Sequence, residues 1–168
     1  TGGAFYPLDP RPEEIDIRDI AQALSMSCRY GGHCKRFYSV AEHSVLMATK
    51  APAGLELATL LHDASEAYLQ DVIRPVKVHL TNYIEIENRL MAVIADKFGF
   101  AWPMPAEVKK LDEAMIGAER DQAVNFPKGK DWSQWKPVPP LNVTIEFWSP
   151  TLAEGAFLGA FYRYGGKA

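Results

Sequence analysis

The run Leu60-Leu61-His62-Asp63-Ala64-Ser65-Glu66-Ala67 sets an imidazole beside a carboxylate within an apolar, helix-forming stretch. Burying that pair uncompensated costs several kcal/mol, so any fold of this chain must bring partners to it. A metal ion is the simplest partner. Glu66, at i+4 from His62 and i+3 from Asp63, falls on the same helix face.

The remaining residues read as helices joined by short connections. Asp16 caps a helix with Ile17, Ile20, Ala21, Leu24 and Cys28 on one face, and Gly31-Gly32 ends it. The loop that follows carries Arg29, Tyr30, His33, Lys35, Arg36, Phe37 and Tyr38, a cationic and aromatic set suited to a phosphate. Ser39-Val40-Ala41-Glu42 has the form of a capping box, in which each side chain bonds the other residue's amide, and it starts a helix bearing His43. A central helix is expected from about Leu55 to Leu69, followed by a loop over Gln70 to Lys77. Asn82 and Glu85 open a further helix that ends at Phe98 before Gly99. Pro103 and Pro105 precede a helix from Ala106 to Val124, whose stripe of Val108, Leu111, Met115, Ala118 and Gln122 leaves Asp112 at its inward edge.

From Asn125 to Pro150 the composition turns to Pro, Trp, Lys and Gly, with Trp132, Trp135, Pro137, Pro139 and Pro140 in an irregular segment that packs on the body or on a partner. Thr151 with Glu154 then caps a last helix, where Gly155 and Gly159 would allow close packing. Neither repeats nor alternating strand patterns occur. The expected fold is all-α: a helical bundle forming a single domain over residues 1–168, with an irregular Trp/Pro-rich segment before the last helix.

A net charge of −3 and an isoelectric point near 5.8 argue against a DNA or RNA polymer as partner, while leaving room for a small phosphate pocket. No apolar run approaches the ~20 residues of a membrane span, and the first residues lack a signal-peptide pattern, so a cytoplasmic protein with no membrane partner is expected. Cys28 and Cys34 read as free thiols, since the Cys-x-x-Cys spacing of structural zinc sites is missing.

Four metal-ligand candidates lie on three helices: His43, His62 with Asp63, and Asp112. Such nitrogen and oxygen donors suit Zn, Mn, Co, Ni or Fe(II) without selecting among them. Taken singly, His43 reads first as a satisfied half-buried histidine, Asp112 as a solvated helix charge and Glu66 as an ordinary surface acid. A salt bridge from Arg29 or Arg36 could neutralise Asp63 instead of a metal.

In order and spacing, His43, then His62-Asp63, then Asp112 resembles the H…HD…D signature of the HD-domain metal-dependent phosphohydrolases. Ser39 to Ser44, His62 to Glu66, Asp71 through Pro75-Val76-Lys77, and Val108-Lys109 with Asp112 resemble the small 5′-deoxynucleotidase branch, whose frame is shared by phage-encoded deoxynucleoside triphosphate triphosphohydrolases. The similarity spans roughly Ile17 to Val124. It implies an HD-type bundle with a motif core over about 17–124, and one divalent metal ion (Zn, Co, Mn, Ni, Fe or Mg) held by His43, His62, Asp63 and Asp112. It further implies Glu66 as catalytic acid/base, Asp71 facing the substrate sugar, and Arg29 on the phosphate. Tyr30 stands where the branch has Trp, and His33, Lys35, Arg74 and Lys77 are further candidate substrate contacts. The implied reaction is hydrolysis of the 5′-phosphate of a deoxynucleotide; the alternatives are triphosphohydrolysis of a dNTP and an inactive, metal-stabilised binding module. A nucleotide substrate, a homo-oligomer and a cytoplasmic location, in the host if phage-encoded, complete what the resemblance implies.

Overall fold

Ser39 accepts the backbone N–H of Glu42 at 3.0 Å and so begins the helix around which the molecule is built. A computed structural model of the protein describes residues 1–125 and 138–168. In chain order the helices are α1 (Ile17–Met26), α2 (Val40–Ala48), α3 (Glu56–Leu60), α4 (Glu66–Leu69), α5 (Arg74–Lys77), α6 (Thr81–Phe98), α7 (Ala106–Gln122) and α8 (Pro150–Arg163). Short 3-10 turns lie at Pro12–Glu14 and Arg29–Gly32, and the described residues contain no strand, only isolated bridges. The all-α expectation holds. Trp132, Trp135 and Pro137 lie outside the described residues.

Every residue of α2 except Leu46 is buried, which an amphipathic surface helix could not tolerate. The reason is that α2 serves two apolar clusters. Val40, Ala41, Val45 and Ala48 join Ile20 and Leu24 of α1, Leu60, Leu90 and Ile94, and Phe157 and Phe161 of α8. Met47 instead meets Tyr38, Met115 and Ala118 of α7, Ala123 and Ile145. A polar group on α2 is therefore positioned by packing from both sides.

Several expected element boundaries are corrected. The helix expected over Leu55–Leu69 is broken: α3 stops at Leu60, residues 61–65 run as turns, and α4 begins at Glu66. Ala64 and Glu66 bond back three residues, to the carbonyls of Leu61 and Asp63. His62 Nδ1–H donates to the Thr59 carbonyl at 2.7 Å, taking the acceptor that an uninterrupted helix would offer to the Asp63 amide. Similarly, α1 ends at Met26, leaving Cys28 outside it and Gly31-Gly32 in the 3-10 turn. The expected loop over Gln70 to Lys77 contains the single-turn α5, where Pro75 sits in the first turn and forfeits no bond.

Capping departs from the pattern in three places. Glu42 does not return a bond to Ser39; its carboxylate accepts the backbone N–H groups of Glu146, Phe147 and Trp148 at 2.8, 3.0 and 2.8 Å. The start of α6 falls at Thr81 without a side-chain cap, although Gly99 ends it in the left-handed conformation as expected. Ser149, not Thr151, caps α8, accepting from Leu152 with Pro150 in the first turn. Gly155 and Gly159 are not close-packing positions, since a Cβ at either would meet nothing within 4 Å. A glycine pressed against a neighbour is Gly166, where a Cβ would overlap the Phe161 ring.

Candidate functional site

The loop that leaves α1 is clamped at its base and its far end. Arg29 donates its amide to Tyr38 and Val40 donates to Ser27, while Lys35 donates to Ala123 beyond the end of α7. Within the clamp Tyr30 adopts φ +56°, an uncommon conformation for a side chain of its size, followed by Gly31 at φ +58°. The loop thus turns Arg29 into the protein rather than out to water, and its side chain is only 11 % exposed.

The helices bring His43 of α2, His62 of the 61–65 turn and Asp112 of α7 together, with one donor atom from each lying within 4.8 Å of the others. Nε2 of His43 is 3.3 Å from Nε2 of His62 and 3.5 Å from Asp112 Oδ1. Asp63 joins through Oδ2, 3.2 Å from His62 Nε2 and 3.8 Å from His43 Nε2, and Arg29 Nη1 lies 3.5 Å from that same oxygen. His43, His62 and Asp112 form the group, Asp63 borders it through the two histidines, and Arg29 lies within ion-pair distance of Asp63 as the non-metal reading allowed.

The Nδ1 atoms of both histidines are engaged, which leaves each Nε2 facing the group. His62 Nδ1 faces a carbonyl, which can only accept, so Nδ1 carries the proton and a neutral ring has a bare Nε2. His43 Nδ1–H donates to Glu119 Oε1 at 2.6 Å, with the same result. Two bare nitrogens at 3.3 Å repel unless a proton or a cation lies between them. With two carboxylates at hand, the donor set fits a divalent ion and is of the mixed nitrogen and oxygen kind.

Electrostatics around the group are acidic. Burial works against an ionised Asp63, but His62, then His43 and Arg29, hold its carboxyl well below the usual range. Burial alone would lower His62; Asp63 and Asp112 outweigh it and raise the imidazole. Glu66 is 6 % exposed, and among the described residues its Oε2 has no hydrogen-bond partner. Burial, followed by the charges of Asp63 and Asp71, pushes the Glu66 carboxyl well above the ordinary value, and burial likewise raises Asp71.

Asp71 borders a cleft of about 460 Å³, whose other walls include Ala23, Met26, Cys28, Gly31 and Gln70. Of the remaining expected contacts, His33 and Arg74 are exposed. Lys35 Nζ donates to the carbonyls of Asp121 and Gln122 at the end of α7, and Lys77 Nζ bonds Glu87 Oε1 at 2.6 Å. These two lysines are already engaged.

Glu119 is the site residue that the sequence reading missed. It is fully buried on α7 and accepts from His43, from the Tyr30 hydroxyl at 2.5 Å and from Arg29 Nη2 at 3.3 Å. Arg29 Nε lies 2.9 Å from Oε1 at ion-pair distance. Although burial raises it, Arg29 and His43 bring the Glu119 carboxyl down to about 2. The available signal was its spacing: seven residues after Asp112, two helical turns along the same face.

Fold and site together define an all-helical protein with a His/His/Asp group that could hold a metal ion. No family model matches the chain. It is 35% identical over 162 residues to the uncharacterized protein YfdR of Escherichia coli, with 96% of this chain and 90% of that protein aligned. An uncharacterized protein of Rhodobacter capsulatus is also 35% identical, over 174 residues covering 94% of this chain and 89% of its own length. The chain belongs to the family these two proteins share. Among the described residues no helix is long and apolar enough to cross a membrane.

Proposed function

We propose that this protein is a divalent-metal-dependent phosphohydrolase of the HD superfamily that cleaves the 5′-phosphate of deoxynucleotides. The observation that carries the reading is the pair of histidine Nε2 atoms, each freed by a hydrogen bond at Nδ1 and facing the Asp63 and Asp112 carboxylates. His43, His62, Asp63 and Asp112 would hold the metal, which when bound supplies a Lewis acid for a phosphoryl oxygen and an acidified water.

The chain's own groups perform the rest. Arg29, pointing inward beside Asp63, offsets the negative charge that accumulates on the phosphoryl oxygens. Glu66, buried and with its carboxyl pushed above the ordinary value, is placed to pass a proton to the leaving 5′-oxygen. The cleft beside Asp71 is within the usual size range for a small-molecule site, and its carboxylate suits a sugar hydroxyl.

The monophosphate reading is preferred over the triphosphate one because of the cations. A triphosphate needs several uncommitted positive groups, whereas Lys35 is bound to the end of α7 and Lys77 to Glu87. Arg36 lies over the Phe147 ring at 4.9 Å, leaving His33 and Arg74 exposed. Incubating Co²⁺-loaded protein with dAMP and with dATP, and identifying the phosphorus product, tests this. Inorganic phosphate from dAMP is expected; tripolyphosphate from dATP would overturn the preference. Turnover of neither, with Co²⁺ tightly bound, would leave the binding-module reading.

A further inference from the structure

We infer that Glu119 is a positioning residue that supports the metal ligand His43 and the phosphate-binding Arg29 through one carboxylate, so that cation and anion are held by a common brace. The inference rests on the reading of Arg29 as the phosphate contact. Glu119 has no exposure and does not line the cleft, so it acts through these neighbours and not on substrate itself.

The geometry makes the brace specific. Oε1 receives the His43 Nδ1 proton at 2.6 Å and lies 2.9 Å from Arg29 Nε, while Oε2 receives Tyr30 and Arg29 Nη2. Oε1 is therefore shared between α2 and the Arg29 turn, while Oε2 holds two residues of that turn. On one side this fixes the His43 tautomer that exposes Nε2 to the metal. On the other the carboxylate accepts from Nη2 of the guanidinium and lies at ion-pair distance from Nε, leaving the Nη1 end, 3.5 Å from Asp63 Oδ2, turned toward the ligand group. α7 carries both Glu119 and Asp112, so a single rigid helix supplies a metal ligand and the support for another.

A glutamine at this position has one acceptor oxygen where three donors converge, and its amide would point N–H groups at Tyr30 and Arg29. Glu119→Gln is therefore expected to weaken Co²⁺ binding roughly tenfold or more, as loss of an outer partner of a ligating histidine does. It should also weaken inorganic phosphate binding to the Co²⁺-saturated protein. Both are read by isothermal titration calorimetry, with the melting temperature of the metal-free protein as the check on folding. In an Arg29→Ala background the effect of Glu119→Gln on phosphate should vanish while its effect on Co²⁺ persists, a split that a merely structural role does not produce.

Should Glu119→Gln fail to fold, Glu119→Asp keeps the charge but shortens the arm, and the same two titrations apply. Unchanged Co²⁺ affinity in a folded variant, or phosphate losses that add fully in the double variant, would overturn the inference. If the wild-type protein hydrolyses neither nucleotide, the proposed reaction fails, yet the Co²⁺ and phosphate titrations still decide the brace.

Discussion

The Glu42 carboxylate accepts the backbone N–H of Trp148 at 2.8 Å across 106 positions of sequence, and it takes those of Glu146 and Phe147 as well. A side chain in the first turn of α2 thereby fastens the segment that leads into α8. Glu42→Ala would leave three amides without this acceptor, and the cost is expected to be about 3 kcal/mol in urea unfolding, since bonds to charged groups are each worth about 1.5–3 kcal/mol. A loss below about 0.5 kcal/mol, the ordinary level for surface positions, would show that water replaces the carboxylate without penalty.

Acid should unfold the protein partly through Glu119. Its carboxyl is held at about 2 against an ordinary 4.5, so the fold gains stability that is complete above 4.5 and is lost as pH falls toward 2. For a fully buried group that shift corresponds to about 3 kcal/mol. Stability curves of wild type and Glu119→Gln, measured by denaturant titration from pH 7 to 2.5, should converge at the acid end; parallel curves would contradict this.

Glu66 has the opposite sign. Its pKa is raised in the folded state, so its contribution is present below the ordinary value and disappears as pH rises through the folded one. Glu66→Gln should thus melt higher than wild type at pH 8, with the gain shrinking below about pH 4. The same substitution should reduce hydrolysis by about 10²-fold or more while Co²⁺ stays bound. Near-normal turnover with metal in place would remove Glu66 from the catalytic role.

Metal removal should separate chemistry from architecture. Neither apolar cluster includes the ligand group, so a chelator is expected to abolish hydrolysis while far-ultraviolet circular dichroism remains near its starting value. On the proposed ligand set, His62→Ala and Asp112→Ala should each cost about 10²-fold or more in Co²⁺ affinity, because each would delete a ligand. Collapse of helicity on chelation would favour a structural metal.

The C-terminal end of α8 is open to a simple stability test. Gly166 donates its amide to the Phe161 carbonyl at 2.9 Å, and a Cβ there would enter the Phe161 ring. Gly166→Ala should destabilise by about 1–3 kcal/mol, the usual cost of overpacking, read as a lower midpoint in urea. Gly155→Ala, with open space at its Cβ, should instead be neutral or slightly stabilising.

What could be read from the residues alone followed their range. Ser39 as a cap, Gly99 as a helix end and Asp112 at the inward edge of α7 depend on local spacing, and each stands where local chemistry places it. Glu119 was hidden because an acid on a helix ordinarily points to water, and its compensators Tyr30 and His43 lie 89 and 76 positions away. The break after Leu60 was hidden for a different reason. Leu, Ala and Glu favour a continuous helix, and only the tertiary demand that turns His62 toward His43 makes its ring compete for the Thr59 carbonyl. Glu66 begins α4 after that turn, so the unbroken helical period that paired it with His62 does not hold.

The burial of α2 on all sides also sets how the protein can open. A helix held by both apolar clusters has no local fluctuation that exposes it alone, so its amides should exchange with solvent only when the whole molecule unfolds. His43 is thereby attached to the slowest-exchanging part of the chain, while the exposed turn around Arg74 can fray without disturbing it.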